Sequence, residues 1–129
     1  MDENSHLRIL LVDDSSDVRV VVSALIRQLW KSAEIDVAAG GREALRKLNG
    51  GNYDIVLTDL QMPDLDGYET AAAIRRMSPP RCHVKIICMT GGKISLERIQ
   101  QCGIDGHLLK PFSLKDLRLK FTEIIPTPL

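Results

Sequence analysis

The stretch that decides the fold is Tyr53-Asp54-Ile55-Val56-Leu57-Thr58-Asp59, and a loop containing Met62-Pro63 and Asp66-Gly67 follows it. Consecutive apolar residues at its centre predict a strand buried on both faces of a parallel sheet, because a half-exposed strand would alternate apolar and polar residues. Ligands in open α/β sheets bind outside the carboxyl ends of the strands. Asp59 ends the strand and is therefore a candidate site residue, although a lone aspartate there is more often a helix N-cap.

Four further apolar runs and five helical patterns surround this strand. The runs at 8–12, 35–38, 84–89 and 106–109 predict the other strands. Apolar residues at helical spacing follow the runs, namely Val18, Val21, Val22, Leu25 and Leu29 through about residue 31; Ala44, Leu45 and Leu48; the Ala-rich 68–77; Ile94, Leu96, Ile99 and Cys102; and Leu114, Leu117, Phe121 and Ile124. This alternation predicts an α/β fold of the (βα)5 type, a doubly wound five-stranded parallel sheet with helices on both faces.

Glycine and capping residues mark the ends of the predicted helices. Gly40-Gly41 breaks the chain before the second helix, and Gly103 halts the fourth, whose apolar pattern is weak. Ser113 and Asp116 resemble a capping box, with Asp in place of Glu, at the start of the fifth helix.

The first predicted helix carries residues that its apolar pattern leaves outside the buried face. Arg19, Arg27 and Lys31 are predicted to face outward, and so is Val20. A single exposed valine is ordinary on a protein surface. An apolar residue beside a site can also contact a partner, so Val20 is a candidate docking residue, together with Val18 and Val21 of the same helix.

Length and composition exclude several classes of protein. The 129 residues fit a single domain, with a core at about 7–125, a polar N-terminal tail and a C-terminal tail containing Pro126 and Pro128, and no effector domain is expected. Basic and acidic residues balance at 17 each and only 4% of residues are aromatic, which argues against direct nucleic-acid binding. The absence of a long apolar run or signal peptide predicts a cytoplasmic location without membrane insertion.

Five polar residues follow or end predicted strands: Asp13 and Asp14 the first, Asp59 the third, Thr90 the fourth and Lys110 the fifth. In the flavodoxin-like strand order 2-1-3-4-5, the first and third strands are neighbours at the topological switch point. Three carboxylates there would raise one another's pKa unless a cation offset them, and oxygen ligands favour Mg²⁺. The Thr90 hydroxyl and the Lys110 ammonium would suit an anionic phosphoryl group.

The ordered set of motifs resembles a response regulator receiver domain of two-component signalling over nearly the whole chain. Its members are Asp13-Asp14, Asp59 with Met62-Pro63 and Asp66-Gly67, Thr90, and Lys110-Pro111. The resemblance implies that Asp59 accepts a phosphoryl group from a histidine kinase or a histidine phosphotransfer domain. It also implies a monomeric signalling domain that assists only its own phosphorylation and slow dephosphorylation, rather than an enzyme.

The resemblance also implies roles for the other site residues. Asp14, Asp59 and the backbone carbonyl of Gln61 would bind Mg²⁺ directly, and Asp13 would act largely through water. Lys110 would pair with the phosphoryl oxygens and precede a cis peptide bond to Pro111. Thr90 would hydrogen-bond the phosphoryl group and shift on activation.

Three further positions bear on the resemblance, namely Gln61, Gly92 and His107. Gln61 and Gly92 would flank the route of the hydrolytic water, and Gly92 would leave one side of that route open. Receivers that drive output domains usually carry Tyr or Phe three residues before the Lys, where this chain has His107. We therefore expect His107 to be a weak switch residue. The interval from Thr90 to Lys110 is also shorter than the family commonly shows, and Gly91-Gly92 loosens its start, so we expect a short fourth helix.

Several alternatives stay open at this point. The segments 60–63, 66–69 and 103–108 most resemble receivers of hybrid histidine kinases and phosphorelays, but a freestanding output-driving regulator fits as well. A phosphotransferase of the haloacid dehalogenase type also uses a strand-end Asp with Mg²⁺, yet it needs a second Asp where this chain has Gln61. A non-phosphorylated interaction domain is expected to lack Asp59, an acidic partner or Lys110, and all are present.

Overall fold

The computed structural model describes residues 6–125, so residues 1–5 of the predicted N-terminal tail and the C-terminal tail at 126–129, with Pro126 and Pro128, lie outside the described residues. Five parallel strands form one sheet in the order β2-β1-β3-β4-β5, which confirms the predicted fold class and strand order. The elements are β1 (Arg8–Val12), α1 (Ser16–Leu29), β2 (Glu34–Ala38), α2 (Gly41–Gly50), β3 (Ile55–Asp59), α3 (Gly67–Arg75), β4 (Lys85–Thr90), α4 (Leu96–Gln101), β5 (Gly106–Leu109) and α5 (Leu114–Ile124).

Two apolar cores cover the two faces of the sheet. Every residue of the central strand β3 is buried, as its apolar run predicts. The helices α1 and α5 cover one face, where Trp30 stacks on Phe121 with ring centroids 4.7 Å apart. The helices α2, α3 and α4 cover the other face. Within residues 6–125, the structure contains no helix with both the length and the apolar character that crossing a bilayer requires.

The buried face of α1 differs from the prediction. Val21 is 58% exposed, whereas Ile26, which the pattern omitted, is fully buried. The helix also ends at Leu29 rather than near residue 31. Leu29 and Trp30 pack into the core beside Phe121, and this anchoring rotates Val21 away from the sheet. A long-range contact with α5 therefore sets the rotation of α1, which a single-helix pattern does not contain.

The helix α4 is short, as expected, and spans six residues. Its Ile99 is buried, but Leu96, which the pattern predicts on the buried face, is 66% exposed. A helix of this length has room for few inward positions, and Ile99 occupies the central one. Gly103 has a φ of 76°, a left-handed conformation that favours glycine, and it follows the C-cap of the helix as predicted.

Candidate functional site

Three carboxylates meet at the carboxyl edge of the sheet. Asp13 and Asp14 follow β1, and Asp59 ends the neighbouring strand β3. One oxygen from each carboxylate lies within 4.8 Å of the others. Asp13 and Asp59 are 1% and 8% exposed, whereas Asp14 is open to solvent. Strand pairing thus brings together the acidic residues that the sequence analysis predicted as neighbours.

The groups around Asp59 shift the pKa of its carboxyl group in opposite directions. Burial is the main cause that raises the pKa of Asp59, and the nearby Asp13 adds a smaller rise. The Gln61 backbone N–H, which donates to Asp59 Oδ1 at 3.3 Å, and the Lys110 ammonium both lower it. Burial therefore raises the pKa of Asp59 more than crowding by like charges does, whereas the sequence pattern predicted crowding as the cause.

Lys110 faces two of the carboxylates from the end of β5. Its Nζ lies 2.9 Å from Asp13 Oδ2 and 3.5 Å from Asp59 Oδ2. The cluster of three carboxylates keeps an excess of negative charge after this one ammonium is counted. Carboxylate oxygens are the ligands that Mg²⁺ prefers, so the donor chemistry and the charge both fit a hard divalent cation. The peptide bond from Lys110 to Pro111 is cis, as the resemblance implied.

Asp13 is held in place by contacts that the sequence analysis did not predict. The Ser15 backbone N–H donates to Asp13 Oδ1 at 2.9 Å, and Ser15 is also the N-cap of α1. Arg19 was expected to face outward, but its Nη1 donates to the Asp13 carbonyl at 2.6 Å. The long arginine side chain folds back over the first turn of α1, which the outward position of its Cα does not reveal. These contacts fix the Asp13 carboxylate toward Lys110.

Thr90 lies buried at the end of β4, next to the connection that carries Gly92. Its hydroxyl oxygen accepts the Gly92 backbone N–H at 3.1 Å, which leaves the hydroxyl hydrogen available for donation. A Cβ added to Gly92 would lie 2.9 Å from Gln61 Nε2. A side chain at position 92 would therefore meet the Gln61 amide, which occupies the side of Gly92 that the resemblance implied to be open.

The loop after Asp59 closes on itself. The Gly67 N–H donates to the Leu60 carbonyl at 2.9 Å, and a Cβ on Gly67 would lie 2.5 Å from the Asp59 carbonyl oxygen. Asp66 caps α3 in a reciprocal capping box with Glu69. The Asp66 and Glu69 spacing signals this box in the sequence, where it was overlooked. Only glycine fits at position 67 without moving the strand that carries Asp59.

Two surface grooves flank the site. An apolar groove beside Lys110 is lined by residues of α1 and by the segment after β5, including Val18, Val21, Leu25, Pro111 and Phe112. Val20 instead lies on the opposite side of α1, near the edge strand β2. The predicted docking set of Val18, Val20 and Val21 is thus split, because a helix places adjacent residues about 100° apart.

His107 lies in the second groove, which runs along the edge strand β5 beside α5. It is half-buried and pairs with Cys88 of β4. Its neighbours along the groove include Phe112, Leu119 and Lys120. The groove connects the strand that leads to Lys110 with the outer face of α5.

Comparisons with known proteins agree with the fold and with the geometry of the site. A family model described as "Response regulator receiver domain" matches residues 9–122. The transcriptional regulatory protein ResD of Bacillus subtilis is 32% identical over 127 residues, which are 97% of this chain and 50% of ResD. The chain thus spans half the length of that relative.

Two solved structures show the same architecture. The chemotaxis protein CheY4 of Vibrio cholerae has a TM-score of 0.83 and 29% identity, covering 94% of this chain and 100% of that chain. The receiver domain of the sensor histidine kinase PA1611 from Pseudomonas aeruginosa has a TM-score of 0.81 and 29% identity, covering 93% and 98%. That structure has a magnesium ion coordinated in its active-site cleft.

Proposed function

This chain belongs to the response regulator receiver domain family, and from that premise we propose that Asp59 accepts a phosphoryl group from a phosphohistidine in an Mg²⁺-dependent reaction. The observation that carries the proposal is the meeting of Asp59 with two further carboxylates and Lys110 at one edge of the sheet. The setting proposed is cytoplasmic, without membrane insertion or direct contact with nucleic acid.

Four residues of the chain are assigned to the metal site. Asp14, Asp59 and the Gln61 backbone carbonyl would hold Mg²⁺, which supplies positive charge against the transferring phosphoryl oxygens. Asp13 would act through water, and its hydrogen bond with Lys110 gives it a second role in aiming the ammonium. Asp13 therefore serves both the metal and the lysine.

Transfer moves one phosphoryl group between two side chains. An oxygen of the Asp59 carboxylate attacks phosphorus as the bond from phosphorus to the donor imidazole nitrogen breaks, and that nitrogen keeps the electron pair. Lys110 stabilises the negative charge on the phosphoryl oxygens, and the Thr90 hydroxyl donates a hydrogen bond to one of them. The protein is thus a reactant in its own modification, and we assign it no separate enzymatic turnover.

The apolar groove beside Lys110 is the proposed dock for the donor. Exposed Val21 and the half-buried Val18 and Phe112 form an apolar rim from which water would be excluded when a partner packs there. A histidine kinase or a histidine phosphotransfer domain would then present its imidazole in line with Asp59. We propose that such a domain exchanges the phosphoryl group in both directions, as a relay requires.

Intact-mass measurement after treatment with acetyl phosphate tests the acceptor assignment. Wild type should gain one acid-labile phosphoryl group only when Mg²⁺ is present, and Asp59→Asn should gain none. Asp54→Asn is the matched control, because Asp54 is an exposed carboxylate just before the other end of the same strand. Phosphorylation of Asp59→Asn at the wild-type level would overturn the assignment.

Phosphotransfer kinetics test the dock. Val21→Glu should slow transfer from a phosphorylated histidine phosphotransfer domain by roughly tenfold, because it places a charge in the apolar rim. Val20→Glu should leave the rate unchanged, since Val20 lies on the β2 side of α1. Both variants should accept phosphate from acetyl phosphate at the wild-type rate. The reverse pattern for the two valines would place the dock on the other side of the helix.

An output-driving regulator is the second candidate function. Leu96, Leu109 and Leu119 are 66%, 58% and 57% exposed, and they leave apolar surface on α4, β5 and α5. Such a surface can pair with a second copy or an output domain when phosphorylation orders it. Light scattering with and without a beryllofluoride–Mg²⁺ mimic separates the candidates, since a relay domain should stay monomeric.

A further inference from the structure

The amino terminus of α2 obtains its cap from a distant part of the chain. Its N-cap residue is Gly40, which has no side chain to accept the free backbone N–H groups. The carboxylate of Asp64, in the loop after Asp59, accepts them instead, from Gly41 N at 3.2 Å and Arg42 N at 3.0 Å. The Arg42 N–H is the main cause that lowers the pKa of Asp64, so the carboxylate stays charged in this contact.

The Gly40-Gly41 pair makes this contact possible. A Cβ on Gly40 would lie 2.7 Å from Asp64 Oδ1. A Cβ on Gly41 would lie 2.3 Å from Thr70 Oγ1 and 2.8 Å from Leu65 Cβ. Both glycines are therefore needed for close approach, a role beyond the break before α2 that the sequence predicts. The two glycines and Asp64 form one unit that fastens α2 to the loop.

This unit holds the part of the loop that carries Gln61. The base of the loop is closed by the Gly67 N–H on the Leu60 carbonyl, and Met62 is buried in the core. Asp64 fastens the exposed tip to α2. Gln61 lies between these anchors, where its N–H reaches Asp59 and its carbonyl is the proposed metal ligand.

We propose that Asp64 is a positioning residue, which holds the Gln61 carbonyl for the metal by tying the loop to α2. The inference rests on the proposed function, because it concerns how the same site receives Mg²⁺. An exposed helix cap alone would contribute to stability and leave the metal affinity unchanged. Residues that orient metal ligands change the affinity itself, commonly by about 10–100-fold.

Calorimetric titration with Mg²⁺ alone, paired with urea unfolding in EDTA, distinguishes a positioning residue from a simple cap. Asp64→Ala should weaken Mg²⁺ binding by roughly tenfold. Asp64→Asn should recover part of that loss, because its amide oxygen still accepts one N–H. Gly40→Ala should weaken binding by a different route, since the added Cβ displaces the Asp64 carboxylate.

Asp116→Ala is the matched control. Asp116 is another exposed carboxylate at a helix start, where it accepts the Ser113 N–H. This variant should lose a similar amount of stability and bind Mg²⁺ as wild type does. Unchanged Mg²⁺ affinity in both Asp64→Ala and Gly40→Ala would overturn the inference and leave Asp64 a simple cap. A wild type that binds no Mg²⁺ at all would contradict the proposed function itself.

Discussion

The carboxyl edge and the amino edge of the sheet differ in how completely their charged side chains are paired. At the carboxyl edge, Asp13, Asp14 and Asp59 lie together and the Lys110 ammonium contacts only the first and the last, so negative charge is left over. At the amino edge, carboxylates are matched by donors from the protein: Asp54 accepts the Arg8 N–H at 2.8 Å, and Asp105 accepts the Ile86 N–H at 2.8 Å and pairs with Arg75. An edge with paired charges is suited to stability, and one with excess charge is suited to a ligand.

Arg75 is the centre of the amino edge. Its guanidinium donates to the carbonyls of Cys82, Val84 and Gly103 at 2.6–2.9 Å, and it contacts Asp105 at 3.0 Å. These partners join α3 to β4 and to the connection between α4 and β5. The charge of the arginine is thus matched within the protein, whereas the excess negative charge of the opposite edge calls for a metal cation.

The largest effect is expected from Lys110→Met. Loss of the ammonium should slow phosphorylation by acetyl phosphate by roughly 10²–10³-fold, because charge on the phosphoryl oxygens is no longer stabilised. Lys115→Met, on the exposed side of α5, should have the wild-type rate. Intact mass against time measures both. A rate loss below threefold would mean that the carboxyl edge does not depend on its cation.

Arg75→Met, in contrast to Lys110→Met, should lower the stability and leave the phosphorylation rate nearly unchanged. It removes the donor from three backbone carbonyls and leaves the Asp105 carboxylate without its ion pair, so unfolding should become easier by about 3 kcal/mol. The phosphorylation rate per folded molecule should stay within twofold of wild type. Arg76→Met is the control, since Arg76 is adjacent and exposed. Urea unfolding gives the stability, and a matching loss of phosphorylation would show that the two edges are coupled.

The contrast between the edges also explains which features the sequence could predict. Asp13, Asp59 and Lys110 end or follow apolar runs, and parallel strands bring such positions to one edge whatever the details of packing. Arg75 acts through backbone carbonyls that are remote in sequence, and any residue type can supply a carbonyl. No residue pattern signals such a contact, so Arg75 was not identified.

The same limit applies to helix rotation and loop anchoring. The pattern placed Val21 on the buried face and omitted Ile26. In the structure Val21 is exposed and Ile26 is buried, because α5 anchors the end of α1. Asp64 and Gly40 meet only after β3 and the start of α2 have been brought together in the fold. Strand-end chemistry is local in sequence, whereas these contacts are products of packing.

A smaller effect is expected at His107, between the two edges. A polar imidazole gains less from entering an apolar pocket than a phenol or phenyl ring does, so coupling from Asp59 should be weak. Addition of beryllofluoride and Mg²⁺ should shift the amide resonances near Asp59 and Thr90 strongly and leave His107 largely unmoved. A large rotation of His107, together with dimerisation through α4 and α5, would favour the output-driving function.

The smallest effect is expected at the amino edge, from Tyr53. Burial, together with the hydrogen bond from its hydroxyl to Asp36 at 2.6 Å, raises the pKa of Tyr53 from 10.0 to about 12. The neutral phenol therefore contributes stability below pH 10, and that contribution is lost as the pH rises from 10 through about 12.

Tyr53→Phe lacks the hydroxyl, so it should be less stable than wild type at pH 8, by about 0.5 kcal/mol for one partly exposed hydrogen bond. The difference should shrink as the pH rises above 10, because wild type then loses the same contact. Urea unfolding at the two pH values measures it, and ultraviolet titration of the phenols gives the pKa directly, with Tyr68 as the only other tyrosine. Phosphorylation at pH 8 should be unchanged. A stability difference that grows with pH would mean that the folded protein favours the ionised phenolate, which requires a lowered pKa of Tyr53 and would contradict the role given to the hydrogen bond with Asp36.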